Sequence, residues 1–186
     1  MKNVRTKLLT IVAVLALGGV VPAIGQQNRG MVITNPQLGR QVRHELVTLP
    51  YYGVFDNLAY NINGSTVTLY GQVVRPTTRS DAERRVKRLA GVSRVVNNIQ
   101  VLPLSGFDDN IRRATYRSLA RTAGLYRYLQ GTNPSIHIVV DRGHITLEGV
   151  VSNNGDKTLA NMAARQVPGA FSVTNNLRVE GEGNIG

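Results

Sequence analysis

Two kinds of hydrophobic spacing follow one another along this chain, and the same succession occurs twice. Residues 38–48 and 109–122 place apolar side chains at helical intervals, which is typical of amphipathic helices. Residues 58–73 and 136–147 instead alternate between apolar and polar positions, as half-buried strands do. Asn63-Gly64 interrupts the first alternation, and this dipeptide between apolar runs favours a hairpin turn. Each alternating stretch therefore predicts an antiparallel strand pair.

A second helix and a third strand complete each copy, and several residues mark where the helices begin and end. The segment from Ser80 to Glu83 has the spacing of a capping box, and Asp108 or Asp109 is expected to cap the first helix of the second copy. Gly91 and Gly169 stand where a helix C-cap needs a left-handed residue. The predicted fold is α+β, with two tandem αββαβ domains, each a three-stranded sheet covered by two helices.

The two copies are related by sequence as well as by pattern. The segment Thr68–Val73 returns as Thr146–Val151, and Gly91–Val101 returns as Gly169–Val179, at a constant offset of 78 positions. Upstream the offset shrinks, which predicts about five extra residues in the second copy within 125–134. Glycines in the return strands, Gly71 and Gly149, indicate a bulge or a close packing contact. The predicted divisions are residues 1–25, a first domain at 36–104, a short joint at 103–106, a second domain at 107–181 and a flexible tail at 182–186.

The repeated string resembles the BON domain, a small bacterial envelope module that often occurs in tandem behind a signal peptide. The matching positions in the first copy are Thr68, Leu69, Gly71, Val73, Gly91, Val95, Asn97, Asn98 and Val101. Their partners in the second copy are Thr146, Leu147, Gly149, Val151, Gly169, Val173, Asn175, Asn176 and Val179. The resemblance implies an αββαβ fold, a place in the cell envelope, binding to phospholipid membranes and no catalytic activity. The matched residues form turns and core, so no binding role is assigned to them.

The first 25 residues have the three-part pattern of a secretory signal peptide. Lys2, Arg5 and Lys7 precede an apolar run at 8–21, and Ala23-Ile24-Gly25 supplies the small residues of a cleavage site. The alternative is an uncleaved anchor, although the run is short for a span of about 20 residues. We expect a cleaved signal peptide and a periplasmic or secreted protein. Nucleic acid is scarce in those compartments, so we expect no nucleic-acid partner.

Composition and motifs give no reason to propose an enzyme. The chain has no cysteine, which excludes disulfides, thiolate metal sites and cysteine nucleophiles. Of its three histidines, His44 is expected on a solvated helix face and His137 on the outer face of a strand, whereas His144 is near Asp141. Two such side chains do not complete a metal site. We therefore expect no catalytic residues, no metal and no cofactor.

Charge gives the first candidate binding residues. The formal net charge is +11, and it leans on arginine. The basic residues concentrate in two helical rows: Arg84, Arg85, Lys87 and Arg88 in the first copy, and Arg113, Arg117 and Arg121 in the second. Solvated helix faces normally mix signs, so rows of one sign favour an anionic partner, with an ordinary solvated face as the alternative. We predict that these rows bind anionic phospholipid, while an acidic cell-surface polymer remains a further candidate.

The second helix of the second copy differs from its counterpart because its outer face is apolar. Leu159, Met162 and Ala163 occupy positions that are polar or charged in the first copy. A helix that is apolar on two sides packs against the first repeat or presents an apolar patch to lipid or protein. The predicted function is binding of anionic phospholipid membranes or envelope components, in envelope maintenance or stress protection. The alternative is a periplasmic chaperone-like or scaffolding module that binds envelope proteins.

Overall fold

The computed structural model describes residues 36–181, so the predicted signal peptide at 1–25 and the tail at 182–186 lie outside the described residues. The elements are α1 (Pro36–Val47), β1 (Asn57–Asn63), β2 (Thr66–Val73), α2 (Pro76–Val86), β3 (Arg94–Val101), α3 (Gly106–Arg121), a 3₁₀ turn (Tyr126–Tyr128), β4 (Ile136–Asp141), β5 (His144–Val151), α4 (Asn154–Arg165), β6 (Ser172–Asn175) and β7 (Arg178–Val179). This order confirms two successive αββαβ units. Within the described segment, no helix is long and apolar enough to cross a bilayer.

The two sheets share one topology. In each, a hairpin supplies the antiparallel pair, β1–β2 or β4–β5, and the last strand joins parallel to the second. Leu69 stands opposite Asn97 in the first sheet, and Leu147 stands opposite Asn175 in the second, so the register repeats with the sequence. The last strand of the second repeat is split, and β7 continues the pairing with β5 after a short gap. The repeated string therefore specifies the same strand pairing twice.

Each repeat buries its own hydrophobic core between its sheet and its two helices. The first core contains Leu38, Val42 and Leu46 from α1 together with apolar residues of the strands and α2. The second core is larger, and it also takes up Leu125 and Leu129 from the connection between α3 and β4. That connection spans 14 residues, whereas the one between α1 and β1 spans 9. The difference of about five residues agrees with the predicted insertion.

Two strand glycines occupy sites that no other residue fits, as the sequence predicted. Gly71 and Gly149 have φ angles of 117° and 118°, a region that L-residues rarely adopt. A Cβ atom at either would lie 2.0 Å from a backbone oxygen, that of Asn57 or that of Ser135. Because these glycines lack a Cβ atom, the backbone at the start of the first strand of each hairpin can approach the second strand this closely.

The predicted helix starts need correction. Helix α2 begins at Pro76, so Ser80 is inside it and donates to the Pro76 carbonyl at 3.2 Å rather than capping the helix. Proline suits the first helical turn because its missing N–H has no partner there. Helix α3 is capped by Ser105, whose hydroxyl accepts from the Asp108 backbone N–H at 3.1 Å. Asp108 and Asp109 therefore lie in the first turn of α3, not at its cap.

The helix ends also fall earlier than predicted. Gly91 and Gly169 have positive φ angles, 88° and 83°, as expected, but α2 ends at Val86 and α4 at Arg165. Short turns with bonds between residues three apart fill the gap, for example from Leu89 N–H to the Val86 carbonyl at 3.2 Å. The two glycines therefore turn the chain toward the last strand rather than closing the helix itself.

The two repeats touch, and the contact is made by the connection between α1 and β1. The Ile138 N–H of β4 donates to the Val54 carbonyl at 2.7 Å. Val54 and Phe55 pack against the core of the second repeat rather than their own. The prediction that His137 points outward is wrong, because residues of this connection lie against it and leave it only 7% exposed.

Candidate anion-binding interface

Helix α3 presents three arginines along one exposed face. Its opposite face is buried through Ile111 and Leu119. Arg113, Arg117 and Arg121 are spaced four residues apart, so they project from neighbouring turns, and all three are exposed. We call these three residues the α3 arginine row.

The α3 arginine row is free of acidic neighbours. None of the ion pairs found within residues 36–181 includes a member of it. Arg113 is steadied by a hydrogen bond from Nη2 to Asn110 Oδ1 at 2.6 Å, which leaves its charge uncompensated. The adjacent Arg112 differs, since it is buried, pairs with Asp109 at 2.5 Å and donates to the Val140 carbonyl. The row therefore offers positive charge to an external anion, whereas Arg112 belongs to the fold.

The basic residues predicted in the first repeat are only partly available. Arg84 pairs with Asp81, and Arg85 lies 3.5 Å from Glu45 of α1. The remaining two are exposed just beyond the end of α2: Lys87 and Arg88. The structure thus separates two rows that look alike in sequence, because the acidic partners of the first row come from another turn and another helix.

An exposed aromatic pair lies beside the α3 arginine row, and the sequence reading missed it. Phe107 of α3 and Phe171 are 49% and 69% exposed, with ring centroids 5.8 Å apart. The pair covers Gly143, where a Cβ atom would lie 2.7 Å from the Phe171 ring. Phe107 also lines a shallow cleft with Arg113 and Arg117. The sequence offered one indication of this pair, because neither phenylalanine belongs to the apolar periodicity that predicts the helices and strands.

The apolar face predicted on α4 is smaller than expected. Leu159 and Met162 are 40% and 54% exposed, so they are not buried against the first repeat. Ala163 is only 4% exposed and belongs to the core, next to α3, whose Ser118 hydroxyl donates to the Ala163 carbonyl at 2.7 Å. The exposed apolar patch therefore consists of Leu159 and Met162, without Ala163.

His137 is buried where the two repeats meet. The His137 Nδ1 lies 3.3 Å from the Gly53 carbonyl, which can only accept, so Nδ1 carries the proton. Nε2 then accepts from the Tyr52 hydroxyl at 3.4 Å. Burial lowers the pKa of His137 and raises the pKa of Tyr52 to about 12. This geometry fixes the repeats against each other.

No cluster of histidine and acidic side chains in the described segment is a candidate metal centre. Asp141 and His144 are backbone partners across the β4–β5 turn, but His144 Nδ1 contacts Ser172 Oγ at 2.8 Å. Within residues 36–181, no group of three or more histidine and acidic side chains is close enough to hold a metal ion.

The chain belongs to the BON domain family. The model of that family matches residues 37–103 and again residues 107–181, which together cover most of the chain. BON domains occur in envelope-associated proteins, are associated with membrane and phospholipid binding as a family, and are generally not enzymes. The resemblance found in the sequence is thereby confirmed.

Among solved structures, the chain is similar to the C-terminal domain of CdsD, described as the structural protein of the type III secretion system of Chlamydia trachomatis. The identity is 13% over 78% of this chain and 98% of that one, with a TM-score of 0.29. A second structure of CdsD gives 14% identity over 79% and 95%, with a TM-score of 0.28. No curated protein sequence matches the chain.

Proposed function

We propose that this protein binds anionic phospholipid surfaces in the bacterial cell envelope, through the α3 arginine row. The observation that carries the proposal is that three exposed arginines share one helix face and that no carboxylate of residues 36–181 pairs with them. Near an anionic membrane each such charge contributes on the order of 1 kcal/mol, and salt screens the attraction. Three together suit reversible attachment of a folded domain.

The neighbouring aromatic pair supports attachment to a membrane rather than to a soluble polymer. Phe107 and Phe171 expose large apolar rings beside charges that would rest at headgroup level. Aromatic rings favour the interface between lipid and water, where one side is apolar and the other is wet. An acidic polysaccharide would use the arginines but gain little from the rings.

The test is sedimentation with vesicles of phosphatidylglycerol and phosphatidylcholine, against vesicles of phosphatidylcholine alone. Replacing all three members of the α3 arginine row by glutamate should lower binding by at least about tenfold, because attraction becomes repulsion. The matched control makes the same change in charge outside both predicted rows: Arg40→Glu, Arg94→Glu and Arg165→Glu, all at exposed positions. Equal loss in both variants would show that net charge, rather than α3, governs binding.

Export is part of the proposal. Lys2, Arg5 and the apolar run at 8–21 are the reason to expect a cleaved signal peptide and a periplasmic or secreted chain. Mass spectrometry of the native protein should find an N-terminus at or near Gln26. An intact Met1 in a cytoplasmic fraction would remove the envelope from the proposal.

A second candidate function rests on the apolar patch of α4. Leu159 and Met162 are exposed, and methionine is common on adaptable protein-binding surfaces. A chaperone-like or scaffolding module would use this patch toward an envelope protein. Salt distinguishes the two functions, since binding through arginine weakens steeply as ionic strength rises and apolar contact does not.

A further inference from the structure

A cavity opens between the two repeats, and most of its wall is apolar. It has a volume of about 540 Å³, within the range of small-molecule sites. The first repeat contributes the stretch from Tyr52 to Phe55, and α3 contributes Tyr116, whose ring meets Phe55 edge-on at 6.4 Å. Leu129 and Pro134 form the remaining apolar side. We call this space the inter-repeat cavity.

The charge of the inter-repeat cavity has a single sign. Arg113 and Arg117 line it, and no acidic residue of the described segment does so. Arg113, Tyr116 and Arg117 share one face of α3, so the aromatic wall continues directly into the two cationic groups. The cavity therefore offers an apolar interior and two positive charges, which complements a molecule with an apolar body and one anionic end.

Both repeats are needed to form this cavity. The connection 122–135, which carries the inserted residues, supplies Leu129, Gly131, Thr132 and Pro134. Opposite it, Val54 and Phe55 leave their own repeat to pack on the second core. The feature that differs between the repeats, the longer connection, thus forms one wall of a space that neither repeat encloses alone.

We propose that the inter-repeat cavity binds a free single-chain amphiphile with one anionic head group, such as a fatty acid carboxylate. The alkyl chain of the amphiphile lies against Tyr52, Phe55 and Tyr116, and its carboxylate pairs with Arg113 and Arg117. This site takes one molecule from solution, whereas the proposed membrane contact uses the whole outer face of α3. Arg121 separates the two roles, because it belongs to the α3 arginine row but does not line the cavity.

The experiment titrates the full chain with decanoate below its micelle concentration and follows amide shifts by NMR and heat by calorimetry. We expect saturable binding of one decanoate per chain, with the largest shifts at Gly53, Val54, Gly131 and Thr132. Decanol has the same alkyl chain as decanoate but no charge, and it should bind at least about tenfold more weakly than decanoate. Shifts spread over the surface, or heat that never saturates, would overturn the proposal.

Two variants separate this site from membrane attachment. Thr132→Trp places a large ring in the mouth of the cavity and should abolish decanoate binding while vesicle sedimentation stays unchanged. Arg121→Glu should do the opposite, weakening vesicle sedimentation and leaving decanoate binding intact. Two results together would show that the cavity is not the site. Decanoate binding would be unchanged in Thr132→Trp, and the wild-type amide shifts would fall outside the four cavity amides. That conclusion would hold whatever the vesicle results show.

Discussion

The two repeats solve the same backbone problem with different side chains. The residue that follows the second strand, Val74 in the first repeat and Ser152 in the second, has an N–H that points into the protein. Asp56 accepts from Val74 N–H at 2.8 Å, whereas the Tyr128 hydroxyl accepts from Ser152 N–H at 3.0 Å. Tyr128 comes from the longer connection of the second repeat, so the insertion replaced a carboxylate with a phenol.

The two solutions differ in electrostatics. Asp56 is 1% exposed, and no cation of residues 36–181 is bonded to it, so burial raises the pKa of its carboxyl while the N–H groups of Val74 and Gly53 counteract the rise. In the second repeat the carboxylate is Asp156, which accepts from Tyr128 and Arg127, both at 2.6 Å. The Tyr128 hydroxyl, with Arg127, lowers the pKa of Asp156. Equivalent backbone thus does not require equivalent charge, and the pKa values of the two carboxyls are shifted in opposite directions.

The largest effect should come where the repeats are most alike. Gly71→Val and Gly149→Val each place a side chain against a backbone oxygen in the opposite strand, so each should lower the free energy of unfolding by more than about 4 kcal/mol. Gly91→Val is the control, since Gly91 also has a positive φ, 88°, but open space around it, and should cost about 1–3 kcal/mol. Urea unfolding measures all three. Similar losses at Gly71 and Gly91 would show that strain, not the close approach, dictates glycine.

A smaller effect should come where the repeats differ. Asp56→Ala leaves the N–H groups of Val74 and Gly53 without their acceptor, at a cost of about 1–3 kcal/mol. Tyr128→Phe keeps the ring and removes only the hydroxyl, so about 1–2 kcal/mol is expected. Asp56→Asn is the control because its amide oxygen can still accept one bond. An Asn variant as unstable as the Ala variant would mean that the charge of Asp56, not its acceptor atoms, matters.

The contact between the repeats should respond to pH through His137. Its pKa is lowered in the folded state, so the unfolded chain takes up the proton first, and stability falls as the pH drops below about 6.5. Tyr52, Arg43 and Arg178 line the same space, and the nearby Asp56 carboxylate accepts from the N–H groups of Gly53 and Val74 instead of pairing with the imidazole. His137→Phe should therefore flatten the dependence of stability on pH between 7.5 and 5.5.

The matched control for that measurement is His44→Gln, which changes an exposed histidine on α1. It should keep the wild-type slope. If the His137 variant keeps that slope as well, another group governs the response to acid, and the contact between the repeats is indifferent to this proton.

The smallest effect on stability is expected at the apolar patch of α4. Leu159→Asp combined with Met162→Asp should change the free energy of unfolding by no more than about 0.5 kcal/mol, because both side chains are exposed. Ala163→Asp, one position further along, should destabilise strongly since that side chain is buried. Thermal melts of the two variants make the comparison. A marked loss in the double variant would indicate that the patch is covered in the native protein.

The two hairpins and the special glycines were predictable because each depends on neighbours in sequence or on one residue type. The alternation around Leu58 and Ile62 gave the first hairpin, and the repeated string at Gly71 and Gly149 gave the close approach. The start of α2 was not predictable from capping patterns, because Pro76 begins the helix with no side-chain cap at Arg75. The sequence pattern of a capping box is the same whether it lies inside a helix or at the helix start.

Long-range contacts account for the rest. The alternation in β4 predicted one solvated face, but the stretch from Tyr52 to Val54 lies against that strand and buries His137. The local sequence of neither segment, residues 52–54 or β4, indicates that the two are in contact. The same reason explains the two basic rows, because the pairing of Arg85 with Glu45 depends on how α1 packs on α2. The α3 arginine row could be proposed from its spacing. That no carboxylate of residues 36–181 pairs with it is visible only in the folded structure.

The hydrogen bond between Ile138 and Val54 also bears on whether β4 can pair with other chains. Strand β4 is the outermost strand of its sheet and carries the β-prone run Ile136–Val140. An exposed edge of this kind is a template for pairing with other chains and so for aggregation. The first repeat lays Val54 against that edge. Synthesis proceeds from the N-terminus, and domains generally fold in that order. The segment that contains Val54 is therefore made before β4, the strand whose edge it covers.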